Sequence, residues 1–121
     1  MSFEFSKKSL EKLNTCHEDL KRIALELIKE MDITVLCGHR DEKSQNEAFI
    51  NGTSKLMWPK SKHNKTPSLA IDLAPLPIDW KDIPSFMLMC SKIEHIASVL
   101  KIDIRLGRDF SFKDFPHIEL K

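Results

Sequence analysis

Three side chains with the chemistry of zinc ligands stand outside the long periodic segments of the chain. His63 lies in a polar stretch, Asp72 lies in the short apolar run 69–73, and His117 begins the alternating run 117–120. Two imidazoles and one carboxylate are an accepted donor set for catalytic zinc, and they leave a fourth position for water. The residues do not follow the HExxH spacing, in which one helix carries the ligands. A zinc site therefore requires that run 69–73 pairs with run 117–120.

Length and composition predict a single domain over residues 1–121. Hydrophobic residues make up 41% of the chain and charged residues 31%, which is typical of a soluble globular protein and not of a disordered one. The 19 Lys and Arg residues against 18 Asp and Glu residues leave a formal charge of +1. The chain lacks the basic excess of a general nucleic-acid binder, so nucleic acid is not an expected partner.

The cysteines and the first residues indicate where the protein is made. The 3 cysteines are an odd number without a CxxC pair, so we expect reduced intracellular thiols. Residues 1–9 lack the apolar core of a signal peptide, and no run reaches the roughly 20 apolar residues of a membrane span. We expect a protein made in the cytoplasm without a signal peptide and without membrane insertion.

The elements that must position the three side chains follow from apolar periodicity. Apolar residues recur every three to four positions over 9–31 and again over about 83–100, which predicts two helices. A further helix is expected from Asp41, as its N-cap, to about residue 50, with Gly52 just beyond its end. Segment 53–68 is polar and aperiodic, so it predicts a loop, and functional sites concentrate in loops.

Short apolar runs predict the strands. Run 33–37 is β-branched and ends before Gly38, and run 69–73 carries Asp72. Runs 102–106 and 117–120 alternate between apolar and polar residues, as half-buried strands do. Helices interleaved with short strands predict an α+β domain with a small antiparallel sheet flanked by helices.

Four ordered motifs resemble those of a known family of peptidases. Segment 61–64 (Ser-Lys-His-Asn) followed by 67–72 (Pro-Ser-Leu-Ala-Ile-Asp) resembles the zinc signature of the D-alanyl-D-alanine carboxypeptidase, or VanY-like, metallopeptidases. In particular it is similar to the phage-type L-alanyl-D-glutamate endopeptidases, which are endolysins. Segment 37–40 with Gln45, the turn 52–55 and the closing segment 114–120 resemble further family motifs in the same order. The resemblance spans about residues 33–120 and implies a Hedgehog/DD-peptidase-like fold.

The resemblance implies a role for each matching residue. His63, Asp72 and His117 match the ligands of one zinc ion per chain, which lowers the pKa of a water molecule to about 7. Asp114 matches the catalytic acid/base that takes a proton from this water. Arg40 matches the basic residue that binds the substrate or stabilises the developing oxyanion, a role that suits the paired N–H donors of a guanidinium.

Two departures from the family pattern concern the cleft. The gap between His63 and Asp72 is longer than in much of the broader family, which we interpret as a variant loop. Segment 106–109 is Leu-Gly-Arg-Asp, where the family tends to have Trp-Gly-Gly-Asp. This second difference changes a wall of the cleft, so the sequence leaves the exact scissile bond open.

Several residues keep a structural interpretation beside a functional one. His17 and His95 lie in predicted helices and are expected to belong to the scaffold. His39 adjoins Arg40 and is a candidate for substrate binding, but a polar residue at a strand end is an equal interpretation. Ser61, Glu119, Trp58 and Trp80 are also left open: the first two as residues that orient a ligand, the tryptophans as loop packing or a substrate platform. The lysines of the loop 53–68 either face solvent or meet an anionic wall polymer.

The combined prediction is a zinc-dependent metallopeptidase that hydrolyses an amide of the peptidoglycan stem peptide, as a phage or prophage endolysin cutting between L-Ala and D-Glu. The alternatives are a D,D-carboxypeptidase that releases terminal D-Ala and a non-catalytic metal- or wall-binding module. A nuclease built on His63-Asn64 would depend on a dipeptide alone, and the neutral charge opposes it. The family further implies action on the cell wall after release, with a holin or cell breakage giving access, and we expect a monomer.

Overall fold

A four-stranded antiparallel sheet forms the centre of the fold. The computed structural model describes residues 3–121, so the first two residues of the predicted domain lie outside the described part. The strands are β1 (Ile33–Cys37), β2 (Ala70–Pro75), β3 (Ile104–Leu106) and β4 (His117–Leu120), and they lie in the order β1-β2-β4-β3. The helices are α1 (Lys7–Leu13), α2 (Glu18–Leu27), α3 (Glu42–Ile50) and α4 (Ile83–Leu100), with short 3-10 helices at Lys62–Asn64 and Gly107–Asp109. The predicted α+β class with a small antiparallel sheet is confirmed.

The predicted continuous helix over 9–31 is wrong, because the structure has two helices there. α1 ends at Leu13, α2 begins at Glu18 and ends at Leu27, and Cys16 between them forms an isolated parallel bridge with Ser68. The His17 N–H donates to the Ser68 carbonyl oxygen at 2.9 Å, and His17 Nδ1 caps α2 by accepting from the Asp19 N–H. Both helices contribute buried apolar residues to one core, so the apolar periodicity continues across the break and does not reveal it.

The other two helices follow their sequence signals. Asp41 caps α3 by accepting from the Ser44 N–H, and Gly52 follows the helix with φ 78°, which glycine adopts without strain. α4 spans 18 residues and, among the described residues, is the one helix long and apolar enough to cross a membrane by length and composition. Six of its residues are buried inside the fold, which is also the pattern of a core helix.

Side-chain alternation gives the sheet a core face and a polar face. Ile71 and Leu73 on β2 and Ile118 on β4 are each about 1% exposed and belong to the hydrophobic core. Asp72 pairs directly with His117 in the register of β2 with β4, so both side chains lie on the opposite face. The predicted pairing of 69–73 with 117–120 is confirmed, although β2 extends to Pro75 and β3 is shorter than the predicted run 102–106.

Candidate functional site

A cleft of about 1000 Å³ lies over the polar face of the sheet. Its lining includes Arg40, His63, Asp72, Asp114 and His117, which are separated by up to 77 positions in the chain (117 − 40). The structure thus brings together five of the six residues that the sequence singles out. Since they come from β2, β4 and three connecting segments, only the tertiary fold makes them neighbours.

His39 differs from these five residues. His39 is not one of the described residues that line the cleft. Its backbone N–H donates to Thr15 Oγ1 at 2.8 Å, and its Nδ1 lies 3.0 Å from the Lys65 carbonyl oxygen. These contacts tie the end of β1 to two neighbouring loops, so the geometry favours the structural interpretation of His39.

His63 is positioned by a short 3-10 helix whose ends are satisfied by side chains. The Ser61 hydroxyl accepts from the His63 N–H at 3.2 Å, and the Asn64 side chain accepts from the Ser61 N–H at 3.1 Å, which completes a capping box. The Arg40 N–H donates to the His63 carbonyl oxygen at 2.8 Å. The imidazole is 3% exposed. This loop therefore buries a polar ring, although its sequence has no periodic pattern of apolar residues.

Each of the two histidines has one ring nitrogen occupied by an acceptor. His63 Nδ1 donates to the Gly38 carbonyl oxygen at 2.8 Å, and His117 Nε2 lies 2.8 Å from a Glu119 carboxylate oxygen. A carbonyl or carboxylate oxygen can only accept, so these two nitrogens carry protons. The remaining nitrogens, His63 Nε2 and His117 Nδ1, lie 3.3 and 3.1 Å from the same oxygen, Asp72 Oδ1.

The distances from Asp72 to the two remaining nitrogens are those expected between ligands of one metal ion. Zinc–nitrogen and zinc–oxygen bonds of about 2.0–2.1 Å at tetrahedral angles place two ligand atoms about 3.3–3.4 Å apart. The two distances to Asp72 Oδ1 are close to this value. Within residues 3–121, His63 Nε2 is the only buried side-chain nitrogen or oxygen atom that has no hydrogen-bond partner. An orphaned, buried nitrogen that faces a carboxylate fits a metal ligand, because an unsatisfied polar atom is otherwise costly.

The charges of the cluster also favour a cation. Burial raises the pKa of Asp72, but the neighbouring His117 and His63 rings outweigh burial and hold the pKa well below its usual range. Burial lowers the pKa of His63, but the neighbouring Asp72 and Cys37 outweigh burial and raise it to about 10. The pKa of His117 is likewise raised, because Asp72 and Glu119 outweigh its burial. Without a metal the His63 imidazole therefore holds a second proton at neutral pH, and a metal ion would replace this proton.

Cys37 offers an alternative donor set that the sequence did not suggest. Donor atoms of Cys37, His63 and Asp72 all lie within 4.8 Å of one another. A β-bulge after Val35 shifts the register by one residue and sets Cys37 opposite Asp72. The Cys37 sulfur, however, lies 3.8 Å from His63 Nδ1, the nitrogen already bonded to Gly38. The free nitrogens thus favour the set of two histidines and Asp72.

A buried glutamine connects Arg40 to the loop that holds His63. Gln45 is 0% exposed; its Oε1 accepts from Arg40 Nη1 at 3.0 Å and from Asn64 Nδ2 at 3.1 Å. Its Nε2 donates to Ser54 Oγ and to the Leu56 carbonyl oxygen. The other arm of the guanidinium, Arg40 Nη2, lies 3.9 Å from Asp72 Oδ2. α3 has no apolar stripe, so the only sequence signal for Gln45 was its place beyond Arg40 in the family motif.

Asp114 lies on the turn that leads into β4. The Asp114 N–H donates to the Gly107 carbonyl oxygen, and the Asp114 carbonyl oxygen accepts from the His117 N–H at 3.1 Å. Burial, and next the negative charge of Asp72, raise the pKa of the Asp114 carboxyl. A carboxylate with a raised pKa binds a proton more readily, which is the property of a general base.

Glu119 is held between two cations. Its Oε2 lies 3.4 Å from Lys62 Nζ and 3.8 Å from Arg105 Nη1, while Oε1 contacts His117. Burial raises the pKa of Glu119, but His117 and Lys62 outweigh it and lower the pKa. An ionised carboxylate behind an imidazole fixes the orientation of the ring, so the geometry agrees with the interpretation of Glu119 as an orienting residue.

Comparisons with known proteins agree on the fold and on the family. The family model described as phage L-alanyl-D-glutamate peptidase matches residues 1–120. A crystal structure of the L-Ala D-Glu endopeptidase ChiX from Serratia marcescens superimposes with a TM-score of 0.83 at 22% sequence identity, over 98% of this chain and 90% of that chain. No curated protein sequence gives a significant match. At this level of identity the superposition shows a shared fold, and the family model carries the assignment.

Proposed function

The chain belongs to the phage L-alanyl-D-glutamate peptidase family, whose members act on peptidoglycan, and from this premise we propose a zinc-dependent endopeptidase. Its substrate is the amide between L-alanine and D-glutamate in the peptidoglycan stem peptide. His63, Asp72 and His117 hold one zinc ion, Asp114 is the general base, and Arg40 binds the substrate. The protein acts as a phage or prophage endolysin, as a monomer that needs a holin or cell breakage to reach the wall.

One observation carries the zinc proposal. His63 Nε2 and His117 Nδ1 converge on a single oxygen of Asp72, and the buried His63 nitrogen has no hydrogen-bond partner among the described residues. When bound there, zinc would polarise the scissile carbonyl and lower the pKa of a water molecule to about 7. Gly38 and Glu119 already restrict the orientation of both imidazoles, which supports their role as ligands.

The remaining residues supply binding and proton transfer. Asp114 lines the same cleft, and its raised pKa suits a carboxylate that accepts a proton from water and returns it to the leaving amine. Arg40 presents Nη2 to the cluster while Gln45 holds Nη1. Because one arm is fixed, the guanidinium can meet a substrate carboxylate or a developing oxyanion with little loss of side-chain entropy.

The test combines metal analysis with product analysis. Purified protein should contain about one zinc per chain, and His117→Ala should lose both the zinc and the lysis of purified cell walls. Asp114→Asn should keep the zinc and lose the lysis. The matched control is His95→Ala, since His95 is exposed on α4 and should keep both.

Mass spectrometry of the digested muropeptides identifies the bond. Wild-type protein should sever L-Ala from D-Glu and leave the D-Ala terminus intact. Release of D-Ala alone would contradict the endopeptidase and indicate a carboxypeptidase. Full lytic activity of Asp114→Asn would contradict the proposed base, and a metal-free protein with full activity would contradict the zinc dependence.

A further inference from the structure

Trp80 presents an open aromatic surface to the cleft. It lies between β2 and α4, and its side chain is 59% exposed although it lines the same cleft as His63 and Asp114. The indole stacks on Phe86, with ring centroids 5.7 Å apart and planes 15° apart. Phe86 is 2% exposed and lies 6.3 Å from the ring of Phe115. One face of the indole is therefore fixed on the core, and the rest of this large apolar side chain is left to water.

The cleft lining also contains two phenylalanine rings that lie beside cationic side chains. Lys55 Nζ lies 5.2 Å from the centroid of Phe112, and the Arg105 guanidinium lies 5.2 Å from the centroid of Phe110. Phe110 lies 5.6 Å from the His117 ring, so this cationic group adjoins the catalytic cluster. The contacts thus distinguish an uncharged aromatic surface, formed by Trp80 on Phe86, from a cationic one.

The chemistry of the proposed substrate has the same two parts. In peptidoglycan, the L-alanine of the stem is joined by an amide to the lactyl group of a muramic acid, so an uncharged sugar precedes the scissile L-Ala–D-Glu bond. The peptide that follows this bond carries carboxylates. A pyranose ring offers a face of C–H groups, which suits the electron-rich face of an indole, and carboxylates suit lysine and arginine.

We propose that Trp80 is a binding site for the muramyl sugar of the glycan strand, beside the amide that the enzyme hydrolyses. This inference rests on the proposed L-Ala–D-Glu endopeptidase function. One extended residue spans about 3.3–3.6 Å, so the sugar stays within the reach of the same cleft when L-alanine occupies the catalytic cluster. Trp80 then makes the enzyme prefer stem peptides that are attached to glycan over free ones.

The experiment compares two substrates that share one stem peptide, one free and one attached to the disaccharide of the glycan strand. Wild-type enzyme should have the higher kcat/KM on the disaccharide-bearing substrate. Trp80→Ala should lower the ratio of the two kcat/KM values about tenfold, chiefly through the KM of the disaccharide-bearing substrate. Trp80→Phe should keep a larger part of the ratio. Trp58→Ala is the matched control, because Trp58 is half-buried and lies outside the described lining of the cleft, so the ratio should not change.

A binding measurement gives a readout that does not depend on turnover. In a Trp58→Phe variant Trp80 is the remaining tryptophan, since the chain contains 2. Titration with the disaccharide alone should change its fluorescence. If Trp80→Ala leaves the ratio unaltered, or lowers kcat/KM equally on both substrates, the sugar site is refuted while the endopeptidase stands. If wild-type enzyme cleaves neither substrate, the proposed function itself is refuted.

Discussion

Replacement of Gln45 by leucine tests whether one buried amide holds the two sides of the site together. Leucine has a similar volume and makes no hydrogen bond. The substitution leaves Arg40 Nη1 and Asn64 Nδ2 without the acceptor that they share. Ser54 and Leu56 also lose a partner, but both line the open cleft and can bond to water.

The expected loss of stability follows from the two partners that stay buried or charged. A hydrogen bond to a charged group contributes about 1.5–3 kcal/mol and a neutral one about 1 kcal/mol. Arg40 is the charged partner, and Asn64, at 6% exposure, is the neutral one. We therefore expect Gln45→Leu to lower the free energy of unfolding by about 3 kcal/mol, and Tm by about 10 °C for a domain of this size.

The activity should fall further than the stability explains. Once Nη1 is released, the Arg40 guanidinium can leave the cleft. At an assay temperature well below Tm, we therefore expect kcat/KM on cell-wall substrate to fall at least about tenfold. Glu47→Leu is a matched control, since Glu47 is exposed on the same helix. Ser9→Ala is a second control: its buried hydroxyl bonds the Val35 N–H away from the cleft, so it should cost stability and leave kcat/KM unchanged.

Urea unfolding and initial rates decide between the possible outcomes. If the free energy of unfolding of Gln45→Leu lies within about 0.5 kcal/mol of the wild-type value, the hydrogen bonds of Gln45 contribute less to stability than their burial implies. If the variant is destabilised but as active as Ser9→Ala, Gln45 is a structural residue and does not position Arg40. Only the combined loss supports the reasoning.

Three further predictions concern the metal cluster. Gly107→Ala should abolish lysis and lower Tm, because an added Cβ would overlap the Asp114 carbonyl oxygen; unchanged lysis would show that the turn can shift freely. Glu119→Gln should weaken zinc binding about 10–100-fold in competition with a chelator, because His117 loses its charged partner; equal affinity would contradict an orienting role. Zinc binding should release protons, because the pKa of His63 is raised to about 10, so its ring is protonated at neutral pH in the metal-free protein, and the pKa of His117 is also raised. Apparent zinc affinity should therefore increase with pH, and calorimetry in buffers of different ionisation enthalpy should detect the protons, whereas an affinity independent of pH between about 6 and 8 would exclude the raised values.

Most of the residues that meet in the cleft could be predicted from the sequence, because their chemistry is local. His63, Asp72 and His117 are recognisable as donors by residue type, and alternation in the two strand segments predicts that Asp72 and His117 can share a face. The pairing of those strands is a tertiary contact that the sequence does not specify. It was nevertheless the simplest arrangement that could bring the donors together. Family motifs added Arg40 and Asp114, which periodicity alone does not distinguish from other polar residues.

The features that escaped prediction depend on contacts between distant segments. The break between α1 and α2 exists because residues 15–17 bond to Ser68, more than fifty positions later, while the apolar period continues unchanged. The bulge that sets Cys37 opposite Asp72 likewise has no marker, since run 33–37 is a uniform β-branched and apolar segment. Which nitrogen of each histidine is free follows from Gly38 and Glu119, and a sequence does not contain that geometry.

One buried hydrogen-bond network connects the proposed metal ligands to the proposed substrate-binding arginine. The sheet fixes Asp72 and His117, but His63 and Arg40 lie on segments outside its regular pairing and need another support. Asn64, next to His63, donates both to the Arg40 carbonyl oxygen and to Gln45, and Gln45 accepts from the Arg40 guanidinium. A shift of this loop therefore moves the His63 imidazole and the Arg40 guanidinium together. This shared network explains how a polar, aperiodic loop can hold the site residues in place. The loop has no apolar face that packs on the core, and it is ordered by buried hydrogen bonds whose loss is costly.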